Sequence, residues 1–278
     1  MIIQQFKLSP LAYAPDELCA CINKYSDNKS VVDNKINNNA DIIHFHNKFI
    51  STKKKQLIQY HSEPEKVMLN YKYKKLVIGQ YHATLPEYED CKVVKNIIDL
   101  DKDIYKSYKE INKGIKVGFS PSVTKRMNKF YDKGYEDTLL ILKRLKNKYN
   151  KVFDYDIITD VSLTECLERK SKCNIIIDEC VTNSYHRSGL EGLALGKLTI
   201  CSLDTKVINI FKNITKQNYI PFEIINLSNL ECYLENIIIN EKIMYVLDKG
   251  FLNYRWFKEY WNPVDIINEF IDIYKDIR

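Results

Sequence analysis

Short apolar runs alternate with helical patterns along the whole 278-residue chain, and the alternation starts afresh after a highly charged stretch at 99–114. These two observations predict an α/β protein of two Rossmann-like β/α/β domains facing a cleft. Strands separated by crossover segments lie parallel, and a second series of such units needs a second sheet. We expect the domains to span 1–108 and 109–278, with the last helix, about 263–278, free to pack back on the first domain.

The elements follow in order. IIQQF (2–6) is the first strand, and LSPLAYAP is the loop after it. Pro15 suits the first helical position of PDELCACINKYS, where its missing N–H has no partner to lose. DIIHFH (41–46), QLIQYH (56–61), KKLVIGQYH (74–82) and CKVVKNII (91–98) are further strands, and DLDKDIYKSYKEINKG (99–114), ending at a glycine, is the linker. GIKVGFSP (114–121) restarts the pattern as a strand and loop, followed by the amphipathic helix YEDTLLILKRLKNKY (135–149). FDYDIIT (153–159), SLTECLERK (162–170), CNIIIDE (173–179), a helix after Ser188 and KLTICSL (197–203) continue as β-α-β-α-β. YIPFEIINL (219–227) is one more strand, and Ser228 and Glu231 have the capping-box spacing for a helix behind it. Asn262-Pro263 opens a final helix with Ile266, Ile267, Phe270, Tyr274 and Ile277 at helical spacing.

Composition bounds the function. Hydrophobic residues make up 45% of the chain and aromatics 12%, enough for real cores and too much for a disordered protein. A net charge of +6 permits an anionic partner, whether a nucleotide sugar, DNA or a membrane surface, without requiring one. The eight cysteines form no CxxC pair and sit mostly in apolar runs, which favours a reduced, cytoplasmic setting over a zinc site. MIIQQFKLSP lacks the basic and apolar regions of a signal peptide, and no apolar stretch approaches a membrane span.

Ligands of parallel sheets bind beyond the carboxyl ends of the strands, and the polar residues there stand out. His44 and His46 close one strand at i, i+2 spacing, His61 closes the next, and His82 follows a third. Each is either a polar strand cap or part of a lined cleft. In the cleft reading, one of them acts as a general base or steers a hydroxyl. The loop 123–134 carries Lys125, Arg126, Lys129 and Lys133 before a helix, which is either a solvated charged face or a diphosphate clamp. In NSYHRSGLEGLALGKLTI (183–200), Ser188 and Glu191 have capping-box spacing. Alternatively, Glu191 accepts ribose hydroxyls while first-turn amides such as that of Gly189 bind an anion.

Those segments carry a family resemblance. RSGLEGLALGKLTI resembles the "G…EALA-x-GKPVI" signature of GT-B glycosyltransferases, especially the retaining, nucleotide-sugar-dependent group (glycosyltransferase family 4-like, or group 1). PSVTKRMNKFYDKGYEDTLLILKRL looks like that group's diphosphate loop and helix, and ADIIHFHN followed by LIQYHSEP is similar to its N-domain strands. The three motifs agree in order and spacing over most of the chain.

The resemblance implies a GT-B fold and a hexosyl- or pentosyltransferase that moves a sugar from a nucleotide diphosphate, such as UDP, to an acceptor hydroxyl on a glycan or lipid-linked saccharide. It implies Glu191 on the ribose, and Lys133 and Arg126 on the diphosphate. Gly189 offers its amide there, with Ser188, Arg187 and His186 around the same helix end. His61, His44 and Asn183 are the candidates at the transferred sugar. Asn183 stands where the family has a second Glu, and Leu198 where it has Pro. No metal and no cofactor is expected, because cations and the helix end neutralise the leaving diphosphate. We discount the DxD pairs Asp154/Asp156 and Asp99/Asp101 accordingly, the first lying in a strand and the second in the linker. A location in the cytoplasm or at the inner membrane surface, with peripheral membrane contact, fits this reading. The alternatives are a phage-type enzyme acting on hydroxylated bases in DNA, suggested by the lysine clusters at 53–55 and 72–75, a non-catalytic nucleotide-sugar-binding protein, and a nucleotide-sugar epimerase.

Overall fold

The computed structural model describes residues 1–8, 11, 13–106, 114–124, 132–240 and 242–277. It divides into two compact units. The first comprises Met1–Asp99, Asn209–Lys216 and Trp261–Arg278, and the second Leu100–Ile208 and Gln217–Tyr260. Each is built on a wholly parallel sheet, so both are the Rossmann-like domains that the alternation predicts.

The first unit holds β1 (Ile2–Phe6), β2 (Lys29–Asp33), β3 (Ile42–His46), β4 (Lys55–Tyr60), β5 (Lys74–Ile78) and β6 (Lys92–Val94), in the order β2-β1-β3-β4-β5-β6. Helix α1 (Ala14–Tyr25) joins β1 to β2. Phe6, Ile43, Phe45, Ile58, Tyr60, Val77 and Tyr88 form one buried core. The register matters for the site. Gln5 pairs with His44 across β1–β3, and His46 with Gln59 across β3–β4. One strand, β2, escapes the sequence pattern. KSVVD sits on the sheet edge with four of its five residues exposed, so no apolar run marks it.

Helix α2 (Asp103–Lys106) lies within the stretch read as a linker. The second unit continues with β7 (Ile115–Phe119), α3 (Tyr135–Lys148), β8 (Phe153–Ile157), α4 (Leu163–Ser171), β9 (Ile175–Glu179), α5 (Arg187–Ala194) and β10 (Leu198–Cys201). After α6 (Thr205–Thr215) come β11 (Glu223–Ile224), α7 (Leu227–Ile239), α8 (Ile243–Tyr260) and α9 (Pro263–Asp276), the last grouped with the first unit. The sheet order is β11-β10-β9-β7-β8. The strand expected over 219–227 shrinks to two residues at the sheet edge, because Pro221 has no N–H for a ladder. The cap expected at Ser228 is corrected too. Asn226 is the N-cap of α7, its side chain accepting from Asn229 N, and Ser228 is already helical. Asn262 caps α9 as the sequence predicts, with Pro263 behind it.

Among the described residues no helix is long and apolar enough to cross a membrane. Helix α8 packs closely at Gly250, where an added Cβ would stand 2.3 Å from the Gly196 carbonyl oxygen. A helical glycine forgoes about 1 kcal/mol of propensity relative to Ala. Backbone offers no side-chain end to move aside, so Gly250→Ala should destabilise by roughly 1–3 kcal/mol despite that gain. Urea unfolding checks this, and a stabilised variant would show that α8 can shift at no cost.

Candidate functional site

Strand β9 ends in two acids, Asp178 and Glu179, both fully buried. Glu179 shapes the loop behind it. Its carboxylate accepts from Val181 N (2.7 Å), from Thr182 N and from Ser202 Oγ (3.0 Å). The loop then passes through Asn183 in the left-handed region (φ 60°), whose N–H donates to Ser202 Oγ at 3.0 Å. Asn183 is exposed.

Asp178 has a different task. Its Oδ2 accepts from the N–H of His186, the N-cap residue of α5, at 2.5 Å, and its Oδ1 accepts from Lys133 Nζ at 3.0 Å. A carboxylate at a helix N-terminus meets the positive end of the peptide dipoles. Burial would raise the Asp178 carboxyl, but Lys133 and His186 outweigh it and hold the group well below the usual carboxylate range. Two features make room for this arrangement. At Gly189 a Cβ would lie 2.7 Å from Asp178 Oδ2. Lys133 adopts φ 52° and Gly134 φ 69°, and a Cβ at Gly134 would lie 2.8 Å from Val181.

A second ion cluster lies along α5. Glu191 is 4% exposed. It accepts from Lys170 Nζ (2.7 Å) and from Arg187 Nε (3.0 Å). Lys170 also donates to Ser188 Oγ (2.9 Å), which lies 2.8 Å from Ser120 Oγ at the end of β7. Burial would raise the Glu191 carboxyl and lower the Lys170 ammonium. Their mutual attraction reverses both, so the pair is ionised.

These contacts correct several expectations. The Ser188–Glu191 capping box does not exist, because α5 starts at Arg187 and Ser188 is already inside the first turn. The Gly189 N–H is taken by the His186 carbonyl at 3.1 Å, so it is not an open amide for an anion. Lys133 and Glu191, expected to face a nucleotide, are both buried on internal partners. Among the described residues His186 has no hydrogen-bond partner at either ring nitrogen, and its Nδ1 stands 3.7 Å from Asp178 Oδ2. Arg126 lies outside the described residues, as do Lys125 and Lys129. Of the DxD acids, Asp154 and Asp156 pair with Lys146 and Arg169.

In the first unit three of the four strand-end histidines come together, and the fourth, His82, is buried with its ring against Tyr81. The His44 and His46 rings stack at 4.4 Å, and His46 Nδ1 lies 3.0 Å from His61 Nε2. His46 Nε2 lies 3.0 Å from Gln5 Oε1, and His44 Nδ1 2.8 Å from Tyr274 Oη. His44, expected beside a transferred sugar, is an interior residue. Flanked by β1 and β4, it is 0% exposed and Tyr274 lies against it. His61 is partly exposed, its backbone N–H donating to Asn47 Oδ1 at 2.7 Å. It lines a recess of about 10 Å³ with His46, Gln59, Lys95 and Phe270, room for one water-sized group.

No protein-family model and no curated protein matches the chain. Solved structures do match it end to end. A glycosyltransferase from Rickettsia africae ESF-5 aligns with a TM-score of 0.64 over 99% of this chain and 98% of that one, at 14% identity. HepE of Anabaena in complex with UDP and glucose aligns at 0.61 over 99% and 100%, with 10% identity. MnaA of S. aureus with UDP aligns at 0.51 over 100% and 97%, with 11% identity. At such identities the likeness shows the fold alone, two Rossmann-like domains of the GT-B kind.

The histidine cluster has a proton-linked consequence. Burial, reinforced by His61, lowers His44 to about 3. Burial lowers His61 to about 3 as well, and it takes His46 well below its ordinary value, with the neighbouring histidines and Lys7 adding to the effect. Unfolded imidazoles protonate near about 6.5, so below that pH the unfolded chain binds protons that the folded chain refuses. Stability is therefore full above about 6.5 and falls as pH drops toward the folded values. Asp178 and Glu191, held below the usual range, add a loss that starts only near about 4. Urea unfolding free energy should decline from pH 7 to pH 5, before carboxylates titrate, and His44→Gln should shrink that decline. A flat parent profile over this interval would contradict the neutral cluster.

Proposed function

We propose that the protein is a nucleotide-sugar-dependent glycosyltransferase that moves a sugar from a nucleoside diphosphate, most simply UDP, to an acceptor hydroxyl. One observation carries this reading. The chain matches GT-B structures over nearly their full length, including HepE with UDP and glucose bound, rather than sharing a single sheet with them. The acceptor class that fits the resemblance is a glycan or a lipid-linked saccharide.

In this reading the second unit takes the donor at the end of α5, and binding exchanges partners rather than filling a bare cationic site. The diphosphate competes with Asp178 for Lys133, and the ribose competes with Arg187 for Glu191. His186, whose ring nitrogens make no hydrogen bond among the described residues, stands at the same helix end and adds a polar contact. Positive charge and aligned peptide dipoles then stabilise the diphosphate as it departs. His61 stands on the acceptor-side unit, where it meets a hydroxyl of the transferred sugar or the acceptor.

Thermal-shift and calorimetric titration against UDP-, GDP-, ADP- and CMP-sugars tests the reading. A UDP-sugar should bind and be turned over in the presence of a saccharide acceptor. Lys133→Ala should raise its Kd at least ~10-fold, about 1.4 kcal/mol. Absence of binding by every nucleotide sugar would overturn the proposal, and binding without any turnover would reduce the protein to a carrier.

A further inference from the structure

The first-unit histidines form a directed chain rather than a loose cluster. Gln5 Oε1 faces His46 Nε2 at 3.0 Å, and the other end of that carboxamide faces Ser30 Oγ (3.3 Å) and Tyr274 Oη (3.4 Å). A carboxamide oxygen only accepts, so His46 Nε2 carries a proton. His46 is 1% exposed, and among the described residues no carboxylate is hydrogen-bonded to the ring of His44, His46 or His61, so the His46 ring is neutral and its Nδ1 is bare. The 3.0 Å contact from that bare Nδ1 to His61 Nε2 then requires His61 to be the donor. A neutral His61 protonated at Nε2 has an unprotonated Nδ1. Among the described residues that atom has no hydrogen-bond partner, and its ring lines the small recess.

We propose that Gln5 and His46 are positioning residues that fix His61 as the Nε2-protonated tautomer, so that its Nδ1 acts as a hydrogen-bond acceptor for a ligand hydroxyl. The proposal rests on the glycosyltransferase reading only for the identity of that hydroxyl. The tautomer follows from the chain of contacts alone. Which nitrogen of an imidazole is protonated is set by the bond the other nitrogen makes, and here the setting is relayed through a second ring from an uncharged amide. The arrangement differs from an acid–histidine pair. With no carboxylate behind it, His61 orients a hydroxyl without taking its proton. Sheet register supplies the geometry. Gln5 stands opposite His44 on neighbouring strands, and His46 opposite Gln59, two residues before His61.

The chain has five histidines, so the test is direct. Long-range proton–nitrogen correlation spectra of the whole protein, labelled with nitrogen-15 histidine, report the tautomer of each ring. His61→Asn assigns the key signals. The expected spectrum at pH 7 shows His46 and His61 both neutral and both protonated at Nε2. A His61 protonated at Nδ1, or a charged ring, overturns the proposal. Gln5→Met should return His61 to a mixture of tautomers and lower kcat for transfer by roughly tenfold with the donor KM unchanged. Should that variant fail to fold, Gln5→Glu places a carboxyl group on His46 Nε2, which puts a proton on His46 Nδ1, and that proton must turn His61 to the Nδ1-protonated tautomer. An unchanged His61 there counts against the relay. The spectra need no substrate, so finding the fixed tautomer without any glycosyl transfer would reject the functional reading and leave the relay standing.

Discussion

The ion pair between Asp178 and Lys133, set against the first amide of helix α5, organises the second domain. Both groups are enclosed, and a buried charge survives only when partners fill its hydrogen-bonding sites. Asp178 therefore dictates what surrounds it. Residue 189 carries no Cβ, Lys133 takes a left-handed backbone, and Gly134 closes on Val181. The same end of the helix attracts any anion, and an internal carboxylate stands there. The parallel cluster of Glu191 with Lys170 and Arg187 repeats the logic one turn further on. A ligand at this end of the sheet enters a network already balanced in charge, and its affinity is the difference between two sets of contacts.

The first domain uses the opposite chemistry at the equivalent strand ends. Gln5, His44 and His46 are buried, His61 is partly exposed, all four are polar and uncharged, and hydrogen bonds rather than ion pairs fix their geometry. Parallel register brings these residues from three strands to one face, as it brings Asp178 and Ser120 to one end of the second sheet. In each case the fold lends positions and the particular side chains decide the chemistry.

Much of this architecture was legible from residue pattern. Buried parallel strands are continuous apolar runs, and IIQQF, DIIHFH, IKVGF and NIIID read that way at once. The failures have local causes. KSVVD is an exposed edge strand and shows no run, and Pro221 cuts the last strand of the second sheet to two residues. The polar character of the strand ends was legible, but the pairing of their residues was not. His46 and His61 stood out by position, whereas Asp178 was passed over, although an acid directly after three isoleucines is unusual in a buried strand. Lys170 was hidden because in LERKSK it looks like any solvated lysine. Only the fold shows that it points inward to Glu191, 21 residues away. Spacing along the chain finds candidate charges, but it does not show which of them are matched by one another.

The central claim is that Asp178 holds, for the chain itself, the seat and the cation that a nucleotide's phosphates would take. Titration calorimetry of UDP binding to Asp178→Asn, an amide of nearly the same shape, tests it most directly. With the negative charge removed and the His186 contact kept, UDP should bind the variant at least ~10-fold more tightly than it binds the parent, about 1.4 kcal/mol. Equal or weaker binding would contradict the claim and leave Asp178 a structural cap with no competing ligand.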